Sequence, residues 1–223
     1  MLTNLTIVAS VFLSLFATGE LLYHKLKVKA EFSRKFVHLF TGIFTFLLPE
    51  LIGDYRIVFG LCLSFGILLY ASKKYGFLKS INAIDRPSQG SLWYPFIIYG
   101  CYYTYHLSGQ YIYFYLPILI LAISDPLAAL SGKRWPKGKF VIGCHTKTVI
   151  GSLVFLFSAF IISLFAILIF CSMPILTAIY IAIVISGFTT ISEALSRNGL
   201  DNFTIPASAL LVLIFIEKFT GLF

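Results

Sequence analysis

Asp125 stands inside an apolar run, in the stretch SDPLAALSGKRWPKGKF that covers residues 124–140. A carboxylate among apolar neighbours needs a partner. A salt bridge to a nearby lysine would satisfy it, and so would a metal ion or a reacting group. The small residues Ala128, Ala129, Ser131 and Gly132 leave room for a ligand, which favours the second reading. Pro126 removes an amide donor and disfavours helical geometry at the residue before it, so the helix is predicted to kink or open at Asp125.

Downstream, GKRWPKGKFVIGCHTKTVIGS brings positive charge and flexible backbone together. Lys133, Arg134, Lys137, Lys139 and Lys147 could offset phosphate charge. Gly132, Gly138, Gly143 and Gly151 let a ligand come close to the main chain. Thr146, Thr148 and Ser152 add hydroxyls near a helix start, where free amides favour an anion. The set reads as a triphosphate cradle. It is not a Walker A loop, because Lys139 is followed by Phe140 and no strand precedes Gly132. A solvated basic loop would share its composition.

Two further groups carry chemistry. In ISEALSRNGLDNFTIPAS, Glu193, Asp201 and Asn202 are oxygen donors, and Mg²⁺ is held by a few carboxylates together with phosphate oxygens and water. Their bland reading is helix ends and turn formers. In EFSRKFVHLFTG, Arg34, His38 and Thr41 fall on one helix face at i, i+4 and i+7, with Lys35 beside them. Arg34 and Lys35 could be simple membrane anchors. His38 lies within a span, where an ionisable group marks a site by default. Arg86-Pro87-Ser88-Gln89-Gly90 reads as a turn, with Trp93 and Tyr94 as interface anchors.

The elements that must position these residues are membrane spans. Of the 223 residues, 59% are hydrophobic and 12% charged, against about a quarter charged in a soluble domain. Apolar runs lie at 4–22, 36–52, 56–71, 92–107, 111–130, 149–171, 174–194 and 205–219. The expected fold is all-α, a multi-pass integral membrane protein of about eight transmembrane helices (seven to nine). Residues 1–223 read as a single membrane-embedded catalytic domain, with the first run a retained helix and not a signal peptide. Every Lys and Arg except Arg56 and Lys218 falls in the odd-numbered connections, 23–35, 72–91, 131–148 and 195–204. Basic loops stay on the cytoplasmic side, so the active face is expected there. The net charge of +8 is then mostly topology, and no nucleic acid partner is expected. Cys62, Cys101, Cys144 and Cys171 form no zinc-spaced pattern.

RKFVHLFTG, SDPLAALSGK, HTKTVIGS and EALSRNGLDNFTIP, in this order, resemble the CTP-dependent lipid-alcohol kinases: dolichol, phytol, farnesol and diacylglycerol kinases. The acid–small–glycine stretch followed by Lys-Thr and Gly-Ser also resembles the phosphatidate cytidylyltransferases. The likeness covers roughly residues 31–206. It implies CTP as phosphoryl donor. It also implies functional roles for the basic pair Arg34 and Lys35, for Asp125 and Gly132, for Lys147, Thr148 and Gly151, and for Glu193, Asp201 and Asn202. Ile150 departs from a position that is often acidic in relatives.

The expected activity is therefore transfer of the γ-phosphate of CTP to the hydroxyl of a lipid alcohol: a polyprenol, a phytol-like alcohol or diacylglycerol. Mg²⁺ would bridge the phosphates to Asp125 and to Asp201 or Glu193, with Lys133, Lys139 and Lys147 offsetting charge. His38, Asp125 or Glu193 would orient or deprotonate the hydroxyl. A CDP-lipid synthase is the alternative enzyme. A transporter using Asp125 as an ion site is the alternative outside enzymes, although the polar residues crowd one surface instead of mid-bilayer.

Overall fold

The structure is a computed structural model and describes residues 2–83, 88–142 and 145–221. Arg86, Pro87, Gly143 and Cys144, named above, lie outside the described residues. In chain order the helices begin with α1 (Leu2–His24), α2 (Ala30–Thr45), the single turn α3 (Leu48–Leu51), α4 (Tyr55–Tyr75), the single turn α5 (Lys79–Asn82) and α6 (Gly90–Ser108). Then α7 (Ile112–Leu119) runs through a π-helical turn, Ile120–Ser124, into α8 (Asp125–Arg134). A hairpin of β1 (Lys139–Ile142) and β2 (His145–Thr148) leads to α9 (Val149–Phe170), α10 (Ile175–Leu195) and α11 (Asp201–Thr220).

Six of these helical segments are long and apolar enough to cross a membrane: 2–24, 55–75, 112–134, 149–170, 175–195 and 201–220. The chain is a multi-pass membrane protein. The runs at 36–52 and 92–107 are also helical, but they fall outside that set. The first is interrupted after Thr45, leaving α2 only 16 residues long. The second, α6, carries five tyrosines, a histidine and a serine among its apolar residues. Tyr94 is not an interface anchor: it is buried, because the face of α6 that carries it packs inward with Ile97 and Ile98.

Local sequence explains several boundaries. Asp54 caps α4 by accepting from the Arg56 amide at 2.8 Å, and Gly76 closes it in the left-handed region at φ 75°, where a glycine has no steric penalty. Thr148 caps α9 by accepting from the Gly151 amide at 3.1 Å. Among the described residues the hairpin is the one departure from an all-helical chain. Its strands pair antiparallel, Lys139 opposite Thr148 and Phe140 opposite Lys147, which lifts the basic loop into a defined ribbon.

The 112–134 segment is the centre of the bundle. In its apolar window 72% of residues are buried, against 22–33% in the other five spans. Tyr113, Phe114, Leu116, Ile118 and Ile120 have almost no exposed surface. Asp125 is thus carried by the helix that all the others wrap.

The predicted opening at Asp125 does not occur. Asp125 keeps helical dihedrals, φ −64° and ψ −48°, and the helix passes through Pro126 unbroken. The widened turn before it is the reason. A π turn pairs each carbonyl with the amide five residues on, so the carbonyl of Leu121 would look to residue 126, a proline without an amide hydrogen. The imidazole of His38 on α2 takes that place, with Nε2 at 3.2 Å from the Leu121 carbonyl.

Candidate active site

The four polar connections meet. Gln89 donates its amide to the Asn198 carbonyl at 2.7 Å, Arg34 donates to the Ser88 hydroxyl at 2.9 Å, and Lys73 donates to the Ser88 carbonyl at 2.9 Å. A Cβ on Gly90 would stand 2.7 Å from the Gly199 carbonyl oxygen, so the loops before α6 and α11 touch backbone to backbone, which only glycine permits. The sequence gives little weight to the 88–90 turn, yet it ties Arg34 to the 196–202 connection.

At this junction lies a polar cavity enclosing about 880 Å³ of space between atoms, part of it open to the outside. Asp125, Gly132 and Lys133 from α8, Lys147, Thr148, Gly151 and Ser152 from the hairpin and α9, Glu193 from α10 and Asp201 from α11 all line it. Lys35 and Glu31 of α2 complete its wall. Sequence reasoning missed Glu31, which forms an ion pair with Lys133. The four-residue offset from Glu31 to Lys35 was the available signal. Lys139 is not brought in: it lies exposed on β1 and is absent from the cavity wall.

Two buried carboxylates face this space, and each has its own lysine. Lys35 pairs with Asp125 and Lys147 with Glu193. Asp125 is thus salt-bridged, as the simpler reading of the sequence allowed, but the pair lines a cavity and is not sealed in the core. Lys147 also donates to the main-chain carbonyl of Glu193 at 2.6 Å. The other carboxylate oxygen of Glu193, Oε2, is buried with no hydrogen-bond partner among the described residues, and so is the Ser152 hydroxyl on the same wall. Buried polar atoms without partners are costly, and a ligand in the cavity would relieve both.

No three His, Cys, Asp or Glu side chains among the described residues converge to form a metal cage. Mg²⁺ does not require one: one or two carboxylates suffice when the substrate supplies phosphate oxygens. Asp125, Asp201 and the unpartnered oxygen of Glu193 fit that donor chemistry.

Glycine shapes the cavity floor. A Cβ on Gly132 would lie 2.6 Å from the Thr148 hydroxyl, and one on Gly151 would lie 3.1 Å from the Ala128 carbonyl. These two glycines let α8 and α9 pack backbone to backbone under the Lys-Thr turn, and the capping hydroxyl sits in the gap.

A second cavity, almost wholly apolar, lies on the other side of α2 and encloses about 720 Å³ of space between atoms. Phe12, Phe16, Val37, Leu61, Phe65 and Ile98 line it, and its polar end carries Arg34, His38, Thr41 and Asn202. The expected i, i+4, i+7 face of α2 therefore holds. Between the two cavities a smaller polar space shares Arg34, His38 and Asn202 with the apolar side. It shares Lys35, Asp125 and Asp201 with the polar side. His38 also packs against the Tyr94 ring, with centroids 5.1 Å apart. A carbonyl can only accept, so the Nε2 that meets Leu121 carries the proton, and Nδ1 of the neutral ring is the acceptor.

The chain is 28% identical over 204 residues to a phytol kinase from Synechocystis sp., covering 87% of this chain and 83% of that protein. It is similar, along most of its length, to a lipid-alcohol kinase. The resemblance carried by the four sequence motifs is met by this relative. No family model matches the chain, and no solved structure matches it.

Proposed function

We propose that the chain transfers the γ-phosphate of CTP to the primary hydroxyl of a lipid alcohol, a phytol-like or other polyprenyl alcohol or diacylglycerol, with Mg²⁺ as cofactor and the loops on the cytoplasmic side. One observation carries the reading: an apolar cavity and a basic, carboxylate-bearing cavity communicate through a short polar space walled by His38, Asp125 and Asn202. A kinase acting on a greasy alcohol needs this juxtaposition, and pockets of about 300–1,000 Å³ suit such ligands.

The triphosphate lies in the polar cavity. Lys147 and Lys133 offset its charge, and the Thr148–Gly151 turn offers the first amides of α9. Asp125, Asp201 and Glu193 would hold Mg²⁺, which when bound neutralises charge on the phosphate oxygens. The alcohol's chain lies in the apolar cavity, with its hydroxyl among Arg34, His38 and Asn202. The hydroxyl oxygen forms the new bond to the γ-phosphorus as the bond from that phosphorus to the β,γ-bridging oxygen breaks, and CDP leaves. His38 Nδ1 is the favoured acceptor of the hydroxyl proton, because His38 borders both the apolar and the polar space. Asp125 and Glu193 are occupied by lysines. Positioning and charge stabilisation supply most of the catalysis in phosphoryl transfer.

The test is a panel of lipid alcohols with nucleoside triphosphates labelled in the γ position. Label in the lipid, greatest with CTP, is the expected result. Label in pyrophosphate with phosphatidate as acceptor would assign a CDP-lipid synthase instead. No transfer with any alcohol would overturn the reading.

A further inference from the structure

The apolar cavity reaches the membrane at one place. Helix α1 packs along α2 and against α5. Against α4 it leaves an open groove enclosing about 1,020 Å³ between atoms. On α1 the groove is lined by Leu5, Ala9 and Leu13, spaced i, i+4 and i+8, and on α4 by Ile57, Gly60 and Leu68. Ser64 contributes the only side-chain hydroxyl on its wall, and that hydroxyl is already donated to the Gly60 carbonyl at 2.7 Å. Leu61 and Phe65 line both this groove and the apolar cavity. Between the two spaces stands a small aromatic cluster: the Phe65 ring is 5.4 Å from Phe12 and 5.9 Å from Phe16, centroid to centroid.

We infer that the groove between α1 and α4 is the lateral entry for the substrate, that it holds the distal part of a long lipid-alcohol chain, and that Phe65 with Phe12 and Phe16 forms the constriction the chain passes. The inference rests on the lipid-kinase reading and adds to it a route and a basis for chain-length selection. Its occupant is the chain of the alcohol, because the groove continues the cavity whose polar end carries His38 and Asn202. A short alcohol fits within the inner cavity and never reaches the groove. A long one extends past Phe65 and gains apolar contact with Leu5, Ala9, Ile57 and Leu68.

Gly60 gives a clean test. A Cβ built there meets nothing within 4 Å, so a larger side chain fills the groove without striking the protein. Removing a mid-helix glycine also favours the helix. The measurement compares kcat/KM for geranylgeraniol, with twenty carbons, and geraniol, with ten, in wild type, in Gly60→Trp and in Gly187→Trp. Gly187 is a control on α10, where a Cβ likewise meets nothing. The expected result is that Gly60→Trp lowers the long-to-short ratio at least tenfold and Gly187→Trp leaves it unchanged. An unchanged ratio in Gly60→Trp would overturn the entry. A second readout is independent of phosphoryl transfer: geranylgeraniol with a diazirine at its tail end is crosslinked to the wild-type protein in phosphatidylcholine vesicles. Labels on Leu5, Ala9, Leu13, Ile57 or Leu68 support the entry, and labels confined to α9 and α10 overturn it. If neither alcohol is phosphorylated, the kinase reading fails, while the crosslink still decides the entry.

Discussion

Lys147 grips Glu193 twice, donating to its carboxylate and to its main-chain carbonyl. The hairpin that carries Lys147 is thereby locked to the end of α10, and one oxygen of the Glu193 carboxylate is left over, facing the cavity. Lys147→Met should free the hairpin and strand a buried carboxylate. Removing one partner of such a pair typically costs several kcal/mol when fully buried, and less here, where the Lys147 side chain is 21% exposed. The double variant Lys147→Met/Glu193→Gln should recover most of the lost thermal stability and none of the activity. Recovery of activity in the double variant would reduce the pair to a structural strut.

Asp125→Asn should lower turnover by roughly 10²–10³-fold, the scale for removing one preorganised electrostatic group. It also leaves Lys35 without its carboxylate. A thermal melt of Asp125→Asn/Lys35→Met separates the two effects: stability should return, turnover should not. Turnover near the wild-type level in Asp125→Asn would refute a role for Asp125 at the reacting phosphate.

His38 has two tasks that can be pulled apart. His38→Gln can still donate a hydrogen bond to the Leu121 carbonyl but cannot take a proton at neutral pH. The expected outcome is a melting temperature near that of wild type with kcat lowered about 10²-fold or more, as for loss of general acid–base catalysis. His38→Ala should lose both stability and kcat. Full activity in the glutamine variant would leave His38 with the structural task alone.

Gly132→Ala should push the Thr148 hydroxyl off the Gly151 amide, because the new methyl would sit 2.6 Å from it. Loss of a helix cap costs about 1 kcal/mol. The same displacement should raise the KM for nucleotide more than the KM for alcohol. Equal effects on both would show that the turn does not touch the triphosphate.

Mg²⁺ with CTP should raise the melting temperature of the detergent-solubilised protein, because a ligand that binds the folded state stabilises it by mass action, about 2.7 kcal/mol at a hundred times Kd. Chelation of the metal should abolish the shift. Differential scanning fluorimetry reads both, and a nucleotide shift that survives chelation would remove Mg²⁺ from the site.

Much of this arrangement was legible in the sequence because membrane insertion imposes strong rules. Basic residues concentrate in alternate connections, and those connections do meet around Asp125. The i, i+4, i+7 spacing correctly placed Arg34, His38 and Thr41 on one face. Pairings set by tertiary packing were not legible. Nothing local tells Lys133 to take Glu31, or Lys35 to take Asp125 across 90 positions. Lys139 looked equivalent to Lys147 by composition, yet the strand pairing sends one outward while the other reaches the cavity. Tyr94 read as an interface anchor because its type is common there, and only the packing of α6 shows it buried. The span count is hardest, since α2 is short and α6 is rich in tyrosine.

The widened turn at Ile120–Ser124 acts as a spacer that sets the angular phase of everything after it. An ordinary helix advances about 100° per residue. Deleting one residue from this turn would let the helix close into regular winding and swing Asp125 about a quarter-turn or more around its axis, toward lipid-packed neighbours and away from Lys35. The reactive geometry therefore depends on a single surplus residue, and the chain's tolerance of length change should be lowest in these five positions, although none of them bears a charge.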